Sequence, residues 1–402
     1  MGASHLSISF HNPDQYMASL RTIIAQGRKR VGLLVGAGAP AGMAHTDGTR
    51  PLIPAVAGLT DQVLTVIKPT YQVQIDGLKD DLERHDIETL LSRVRSLGGI
   101  IGKTKVHGLD GEGYKKMADA ICAEIGRIVK VRLPTGPTPY SELVSWITGA
   151  PRAHAVEIFT TNYDLLFEEA FERVKAPYFD GFTGAREAFF DPASVSTDQL
   201  SPRWTRLWKV HGSLGWKANE AGEVVRTGRD DATHLIFPEH LKYDQTQKAP
   251  YSALLERLRT FLTIEDTLLI SIGFSYADAH ITDRVSEALD ANPAASVFAF
   301  QFQNLDKETY AAELASRRSN FSVYARDKAV VSGVAADWQA PNELPTKDWG
   351  PIRKSYWSPP TGGPDGGFKL GAIEDFARFF ANSRSPQAFD AVEDAATAVP
   401  TA

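Results

Sequence analysis

The chain has 402 residues, of which 43% are hydrophobic and 10% aromatic, so it can bury a sizeable core. Its formal net charge of −6 provides no overall positive field, so we expect no direct nucleic-acid binding. The single cysteine, Cys122, excludes an internal disulfide and any structural zinc site that needs several thiolates. We find neither a signal peptide nor an apolar run long enough to span a bilayer, and we expect a cytoplasmic protein.

Hydrophobic spacing predicts a helix within residues 1–30 and then a first buried strand at Val31–Val35. From Leu59 to Ile147 apolar residues recur at helical spacing without a convincing strand, which indicates a helical insertion over residues 59–147. Five further strands are predicted at Val156–Thr160, Leu207–Val210, Thr267–Ile272, Val297–Phe302 and Phe321–Ala325. The alternation with amphipathic helices predicts an α/β fold: a Rossmann-like, doubly wound parallel sheet of about six strands with a helical insertion after the first strand.

The chain divides into two parts at about residue 330. Residues 1–330 are expected to form the main domain, and residues 331–402 a C-terminal extension rich in Pro and Gly before one helix at Ile373–Phe380. The chain ends in an Ala-rich tail. We expect its last part, near Ala395–Ala402, to be disordered.

Four polar or glycine-rich strings directly follow predicted strands. They are Val35–Gly38, Thr160–Asp164, Val210–Ser213 and Ile272–Ser275. Ligands of open α/β sheets bind outside the carboxyl ends of the strands. The four strings therefore predict a single nucleotide-sized crevice.

Two of these strings are glycine turns. In Gly36-Ala37-Gly38, missing side chains would let backbone N–H groups approach a pyrophosphate, although a tight turn without a ligand remains an alternative. In the fourth string, Gly273 would let a ribose or phosphate approach. Ser275 and Asp278 could bind hydroxyl groups there or cap the next helix.

The other two strings carry polar side chains. The second string carries more polar side chains, Thr161, Asn162 and Asp164, than a cap of the next helix requires. We therefore expect at least one of them to face the crevice. His211 also follows a strand. Because histidine titrates near neutral pH, it is the natural general base for a ribose hydroxyl or a water molecule.

In this order and with these spacings, the strings resemble the sirtuin family. Gly36-Ala37-Gly38 is similar to the family's opening Gly-Ala-Gly, Asn162-Tyr163-Asp164 to its Asn-x-Asp, His211-Gly212 to its catalytic His-Gly, and Gly273-Phe274-Ser275 to its Gly-Thr/Tyr-Ser turn. The resemblance covers roughly residues 30–305.

Beyond these motifs, the sequence is more similar to bacterial sirtuin-like proteins of antiphage systems. The strings that carry this likeness are Asp86–Leu91, Thr160–Asp164, Ile236–Pro238 and Ile272–Ile281. Two departures from deacylating sirtuins stand out. One cysteine cannot form their four-cysteine zinc ribbon, and their Gly-Ile-Pro-Asp-Phe-Arg loop is replaced by Met43–Pro54. We therefore expect an NAD-binding crevice with no zinc and no channel for an acyl-lysine substrate.

The resemblance implies that NAD+ is the substrate and that residues 1–330 are the NAD-binding and catalytic domain. Asn162 would orient the ribose or the attacking water, and His211 would act as the general base. The remaining implied contacts to NAD+ are Gly36, Ala37, Gly38, Thr161, Asp164, Gly273, Ser275 and Asp278. The expected reaction is hydrolysis of the nicotinamide–ribose bond, with an oxocarbenium-like transition state.

A free NAD+ hydrolase would kill its own cell, so the resemblance implies a gated, NAD-depleting effector of antiphage defence. The expected activator is a separate HerA-like hexameric ATPase that acts on a homo-oligomer of this chain. Two other readings of the same crevice remain open. One is an ADP-ribosyltransferase, and the other is a catalytically idle sensor of NAD or ADP-ribose.

Overall fold

The computed structural model describes residues 10–82, 84–227, 249–359 and 367–383. The Ile236–Pro238 string and the tail near Ala395–Ala402 lie outside the described residues. Within these ranges the strands are β1 Phe10–His11, β2 Arg30–Val35, β3 Glu157–Thr160, β4 Tyr178–Phe179, β5 Phe182–Thr183, β6 Ala188–Phe190, β7 Thr205–Lys209, β8 Trp216–Ala218, β9 Val224–Arg226, β10 Thr267–Ile272, β11 Ser296–Phe300, β12 Phe321–Tyr324, β13 Lys328–Val331, β14 Val334–Trp338, β15 Trp357–Ser358 and β16 Gly367–Phe368.

Helices cover much of the remaining described chain. They are α1 Pro13–Gln26, α2 Gly38–Ala41, α3 Val56–Leu78, α4 Ile87–Ile100, α5 Gly111–Val129, α6 Pro139–Thr148, α7 Leu166–Arg173, α8 Pro192–Ser196, α9 Tyr251–Thr263, α10 Ala279–Ala291, α11 Thr309–Arg317, α12 Trp349–Tyr356 and α13 Ile373–Ala381, with short 3-10 helices at Lys79–Asp81 and Leu305–Lys307. In the part of the chain described, no helix is both long and apolar enough to cross a bilayer.

The main sheet has the strand order β1-β14-β13-β12-β11-β10-β2-β3-β7-β4. Its central strands, from β12 to β7, are parallel to their neighbours and are the six that the sequence predicts. Numbered along the chain and read from β7, these six follow the order 3-2-1-4-5-6, which is typical of dinucleotide-binding folds. The prediction of an α/β, doubly wound parallel sheet is confirmed.

The expectation of about six strands omits the edges of the sheet. β4 is parallel to β7 at one edge, whereas β13 and β14 form an antiparallel hairpin at the other edge and β1 pairs with β14. The central strands β2 and β10 are mainly aliphatic and buried on both faces, which makes them visible in the sequence. β1 and β4 have only two residues each, and β14 buries only Ala336 and Trp338, so none of these three strands gives such a run.

Helices α3 to α6 fill the interval between β2 and β3, where the sequence predicts the helical insertion. α5 shows why these residues are helical, since Tyr114, Met117, Ile121 and Ile125 recur on one face and are fully buried. α4 begins beyond Asp86, whose carboxylate accepts a hydrogen bond from the Thr89 N–H at 2.8 Å. This cap fixes where the first turn of α4 lies.

The chain after β12 packs against the N-terminal helix. Strand β13 crosses residue 330, so the boundary drawn from the sequence does not coincide with the end of an element. In α12, the Arg353 Nε donates to Asp14 Oδ1 of α1 at 3.0 Å, and the Tyr356 hydroxyl donates to the same oxygen at 2.5 Å. Asp14 is 1% exposed, so a buried ionic contact joins the two ends of the described chain.

Candidate active site

A cavity of about 770 Å³ opens at the carboxyl ends of β2, β3, β7 and β10. It lies where the strand order reverses between β2 and β10, the expected ligand position in an open α/β sheet. Its volume is within the range of small-molecule sites, roughly 300–1,000 Å³. All but one of the predicted site residues line it, namely Ala37, Gly38, Thr161, Asn162, Asp164, His211, Gly273, Ser275 and Asp278. The exception, Gly36, is buried against Gly273.

The two glycine turns pack back to back at the base of the cavity. The Gly36 N–H donates to the Ile272 carbonyl at 3.0 Å, and the Gly38 N–H donates to the Gly273 carbonyl at 2.9 Å. A Cβ atom on Gly36 would lie 2.4 Å from the Gly273 carbonyl oxygen. The N–H groups of Gly36 and Gly38, which were predicted to hold a pyrophosphate, are therefore already hydrogen-bonded within the protein. The main role of these two glycines is to allow the strand ends to approach each other closely.

Polar contacts hold the loop that contains Asn162 and leave the side-chain oxygen of this residue without a partner among the described residues. The Thr160 hydroxyl donates to the Val35 carbonyl at 2.9 Å and accepts from the Asn162 N–H at 3.1 Å. The Asn162 Nδ2 donates to the Gly36 carbonyl at 3.2 Å. Its Oδ1 is buried and has no hydrogen-bond partner among the described residues. An unpartnered buried acceptor is costly, and the Tyr140 hydroxyl, which is also buried without a partner among the described residues, lies beside the Asn162 side chain.

Asp164 is engaged in holding the loop. Its Oδ1 accepts from the N–H of Leu166, the first residue of α7, at 3.0 Å. The buried Lys209 ammonium donates to the Asp164 carbonyl oxygen and lies 3.2 Å from Glu168. Burial raises the pKa of Asp164, while the Lys209 charge opposes the rise. The Asp164 side chain is thus engaged with the backbone at the start of α7, although the N-cap residue is Leu165.

Ser275 and Thr161 remain as polar side chains on the wall of the cavity. Ser275 is exposed, and its hydroxyl makes only a long contact of 3.4 Å with the Ala277 N–H. Thr161 is partly buried, and its N–H donates to the Val35 carbonyl at 3.2 Å. Both hydroxyl groups lie where a ribose or phosphate in the cavity could reach them.

His211 and Asp278 form an ion pair across the cavity, with 2.9 Å between Nε2 and Oδ2. Their side chains are 12% and 21% exposed, so the pair is largely shielded from solvent. Burial alone would lower the pKa of His211, but the hydrogen bond and charge of Asp278 and the charge of Glu88 outweigh it and raise the pKa. For Asp278, burial is likewise outweighed by His211, and its pKa is lowered.

Asp278 also accepts from the His280 N–H at 3.0 Å through Oδ1, so it caps α10 as well. Both of its carboxylate oxygens are therefore used within the protein. The sequence left Asp278 between a contact with the nucleotide and a cap of the next helix; the structure shows the cap and adds the contact with His211.

The sequence did not identify three further polar side chains of this region. Glu88 and Tyr163 line the cavity, and the Tyr163 hydroxyl donates to Glu88 Oε1 at 3.1 Å. Arg84 also lines it, with Nε 3.0 Å from Asp86 and an N–H that donates to the Ala277 carbonyl at 3.2 Å. The Asp86-Ile-Glu88 string was the available signal, but nothing in the sequence places α4 against the sheet.

The steric role of Gly273 can be tested by adding one methyl group. Gly273 has φ +66° and its Cβ would lie 2.3 Å from the Ala39 nitrogen, whereas Gly222 has φ +78° and nothing within 4 Å. Gly273→Ala should therefore lower the free energy of unfolding by about 1–3 kcal/mol more than Gly222→Ala. Urea denaturation measures both. Equal losses would show that the close approach of the turns does not require a glycine.

The coupling of His211 to Asp278 predicts a titration shift. Asp278→Asn removes the charge that raises the pKa of His211, so this pKa should fall, as followed by NMR of the imidazole protons. Glu374→Gln is the matched control, because Glu374 pairs with Arg50 at 2.7 Å. An unchanged His211 pKa in Asp278→Asn would contradict the assignment of this ion pair.

Part of the chain matches a known protein family. Residues 156–323 match the family model described as a SIR2-like domain, a range that includes Asn162, His211 and Asp278. No curated protein matches the chain by sequence. Among the described residues no group of three or more His, Cys, Asp and Glu could hold a metal ion.

Several solved structures are similar to this chain at low identity. A Sir2 enzyme is 13% identical, with 71% of this chain and 85% of that chain covered and a TM-score of 0.33. A sirtuin studied for substrate affinity has 13% identity, the same coverage and a TM-score of 0.31. A Sir2 homologue in complex with NAD has 13% identity, 74% and 87% coverage and a TM-score of 0.33. The match to the SIR2-like domain model covers residues 156–323, which is less than half of the chain.

Proposed function

We propose that this protein is an NAD+ hydrolase, which cleaves the nicotinamide–ribose bond and yields ADP-ribose and nicotinamide. The observation that carries the proposal is the site itself. An asparagine with a free buried acceptor, Asn162, and a histidine oriented by a carboxylate, His211, share one nucleotide-sized cavity of a SIR2-like domain. A pure binding site would require neither group.

The reaction breaks the bond between ribose C1′ and the nicotinamide nitrogen. The bonding electron pair leaves with the ring, which becomes neutral nicotinamide, and positive charge develops on the ribose. A water molecule then bonds to C1′ and gives up one proton. The products are ADP-ribose, nicotinamide and a proton.

We assign the free acceptor of Asn162 to a ribose hydroxyl or to the attacking water. Its Nδ2 is anchored on the Gly36 carbonyl at 3.2 Å, so the side chain needs little reorganisation when a donor binds. We assign His211 as the base that accepts the proton of the water. Because Asp278 raises the pKa of His211, the neutral base forms at higher pH than in a free histidine, and the rate should rise with pH through this pKa.

Water is a more suitable acceptor here than an acyl-lysine side chain. The single cysteine cannot build the zinc ribbon of deacylating sirtuins. In the loop at residues 43–54, Arg50 does not line the cavity, and its N–H groups donate to the Gly42 carbonyl and to Glu374. Pro54 lies on the cavity wall.

We further propose that the activity is gated, because unrestrained loss of NAD+ would be lethal in the cytoplasm. The role that follows is an NAD-depleting effector in antiphage defence. The activator that we propose is a HerA-like hexameric ATPase that binds a homo-oligomer of this chain.

The enzymatic proposal predicts that the purified chain, with its activating partner where required, converts NAD+ to free ADP-ribose and nicotinamide. Asn162→Ala and His211→Ala should each lower the rate at least about a hundredfold, the usual scale for positioned acid–base groups. His45→Ala is the matched control, because His45 does not line the cavity. Thermal unfolding verifies that each variant folds.

The products distinguish the competing functions. Label from NAD+ on protein or nucleic acid would indicate ADP-ribosyl transfer instead of hydrolysis. Tight NAD+ binding without turnover in the presence of the partner would indicate a sensor. Parental rates in both Asn162→Ala and His211→Ala would contradict the site assignment.

The partner proposal predicts a change of mass. Native mass measurement of the chain alone should give a homo-oligomer, and addition of the HerA-like ATPase should give a larger complex of defined stoichiometry. Unchanged masses after mixing would contradict this partner.

A further inference from the structure

Glu88 enters the cavity from the helical insertion and not from the end of a strand. It lies in the first turn of α4, one residue beyond Ile87, and the Asp86 cap fixes this turn. Glu88 lines the same cavity as Asn162 and His211. The insertion therefore contributes a carboxylate to the wall where the strand ends contribute an amide and an imidazole.

Among the residues that the structure describes, no Lys or Arg forms an ion pair with Glu88. Its Oε1 accepts from the neutral Tyr163 hydroxyl at 3.1 Å. The nearby Arg84 instead contacts Asp86 at 3.0 Å and the Ala277 carbonyl at 3.2 Å. A shielded carboxylate is costly unless it is paired or used, and carboxylates kept in clefts in this way are frequent at functional sites.

We propose that Glu88 is a further catalytic residue, whose carboxylate faces the nicotinamide ribose and stabilises the positive charge at C1′ as nicotinamide leaves. This inference rests on the proposed NAD+ cleavage. In the step, the electron pair of the C1′–N bond leaves with the ring and the charge moves from the ring onto the ribose. A fixed carboxylate beside that position stabilises the transition state more than the ground state.

The groups around Glu88 set the pH at which it is charged. Burial raises the pKa of Glu88, and the charges of Asp86 and Asp278 add to the rise, while the His211 charge and the Tyr163 hydrogen bond oppose it. Arg84, His85 and Glu308 are further charged or titratable side chains that line the cavity. Since only the ionised carboxylate stabilises a cation, activity should fall as the pH drops through this raised pKa.

The test compares Glu88→Gln with Glu112→Gln in the full chain with any activating partner present. Glutamine keeps the size of the side chain and an oxygen for the Tyr163 hydroxyl but removes the charge. Glu112 is an exposed glutamate of the same insertion, paired with Lys115 at 2.8 Å. Nicotinamide release gives kcat, calorimetry gives the affinity for ADP-ribose, and thermal unfolding reports on the fold.

Glu88→Gln should lower kcat at least about a hundredfold, the scale of lost transition-state electrostatics. Its ADP-ribose affinity and unfolding temperature should stay close to those of Glu112→Gln, and the acidic limb of its pH–rate profile should change shape. A parental kcat in Glu88→Gln would overturn the role of Glu88 and leave NAD+ cleavage intact. A kcat loss matched by an equal loss of ADP-ribose affinity would make Glu88 a binding group only. No nicotinamide release from the unmodified chain would overturn both proposals.

Discussion

The contact on which the site depends is the back-to-back packing of the turns that follow β2 and β10. Gly36 and Gly38 donate to carbonyls at the end of β10, and no Cβ fits at either position. The same turn offers the Gly36 carbonyl to the amide of Asn162. The other turn leads within a few residues to Asp278, which orients His211. The close approach of two backbones thus sets the spacing of the polar groups in the cavity.

A second property of the site is that its charged groups are coupled. His211, Asp278 and Glu88 influence one another's pKa, and solvent screens them little. His211 and Asp278 pair with each other, so Glu88 adds a separate negative charge to the lining of the cavity. Isolated charges would not be retained in such a cavity for stability alone, because their desolvation is unfavourable.

The sequence revealed most of the fold and much of the site, for identifiable reasons. Strands β2 and β10 are mainly aliphatic runs because both of their faces are buried, and polar residues at the ends of parallel strands must meet at one edge. The edge strands were missed because they are short or bury only alternate residues. Glu88 was missed because the position of α4 against the sheet depends on packing between distant segments. The N–H bonding of Gly36 and Gly38 depends on the register between β2 and β10, which no local pattern encodes.

The helical insertion has a consequence for how the rate could be controlled. Asn162 and His211 follow strands of the main sheet, whereas Glu88 belongs to helix α4 of the insertion. The hydrogen bond from Arg84 to the Ala277 carbonyl connects the insertion to the loop that follows β10. A small displacement of α4 would withdraw one negative charge from the cavity and leave the other two groups in place. Turnover would then change without a matching change in how tightly nucleotide is held. Such a site can keep its ligand bound while it is inactive, and turnover can begin without a new diffusional binding step.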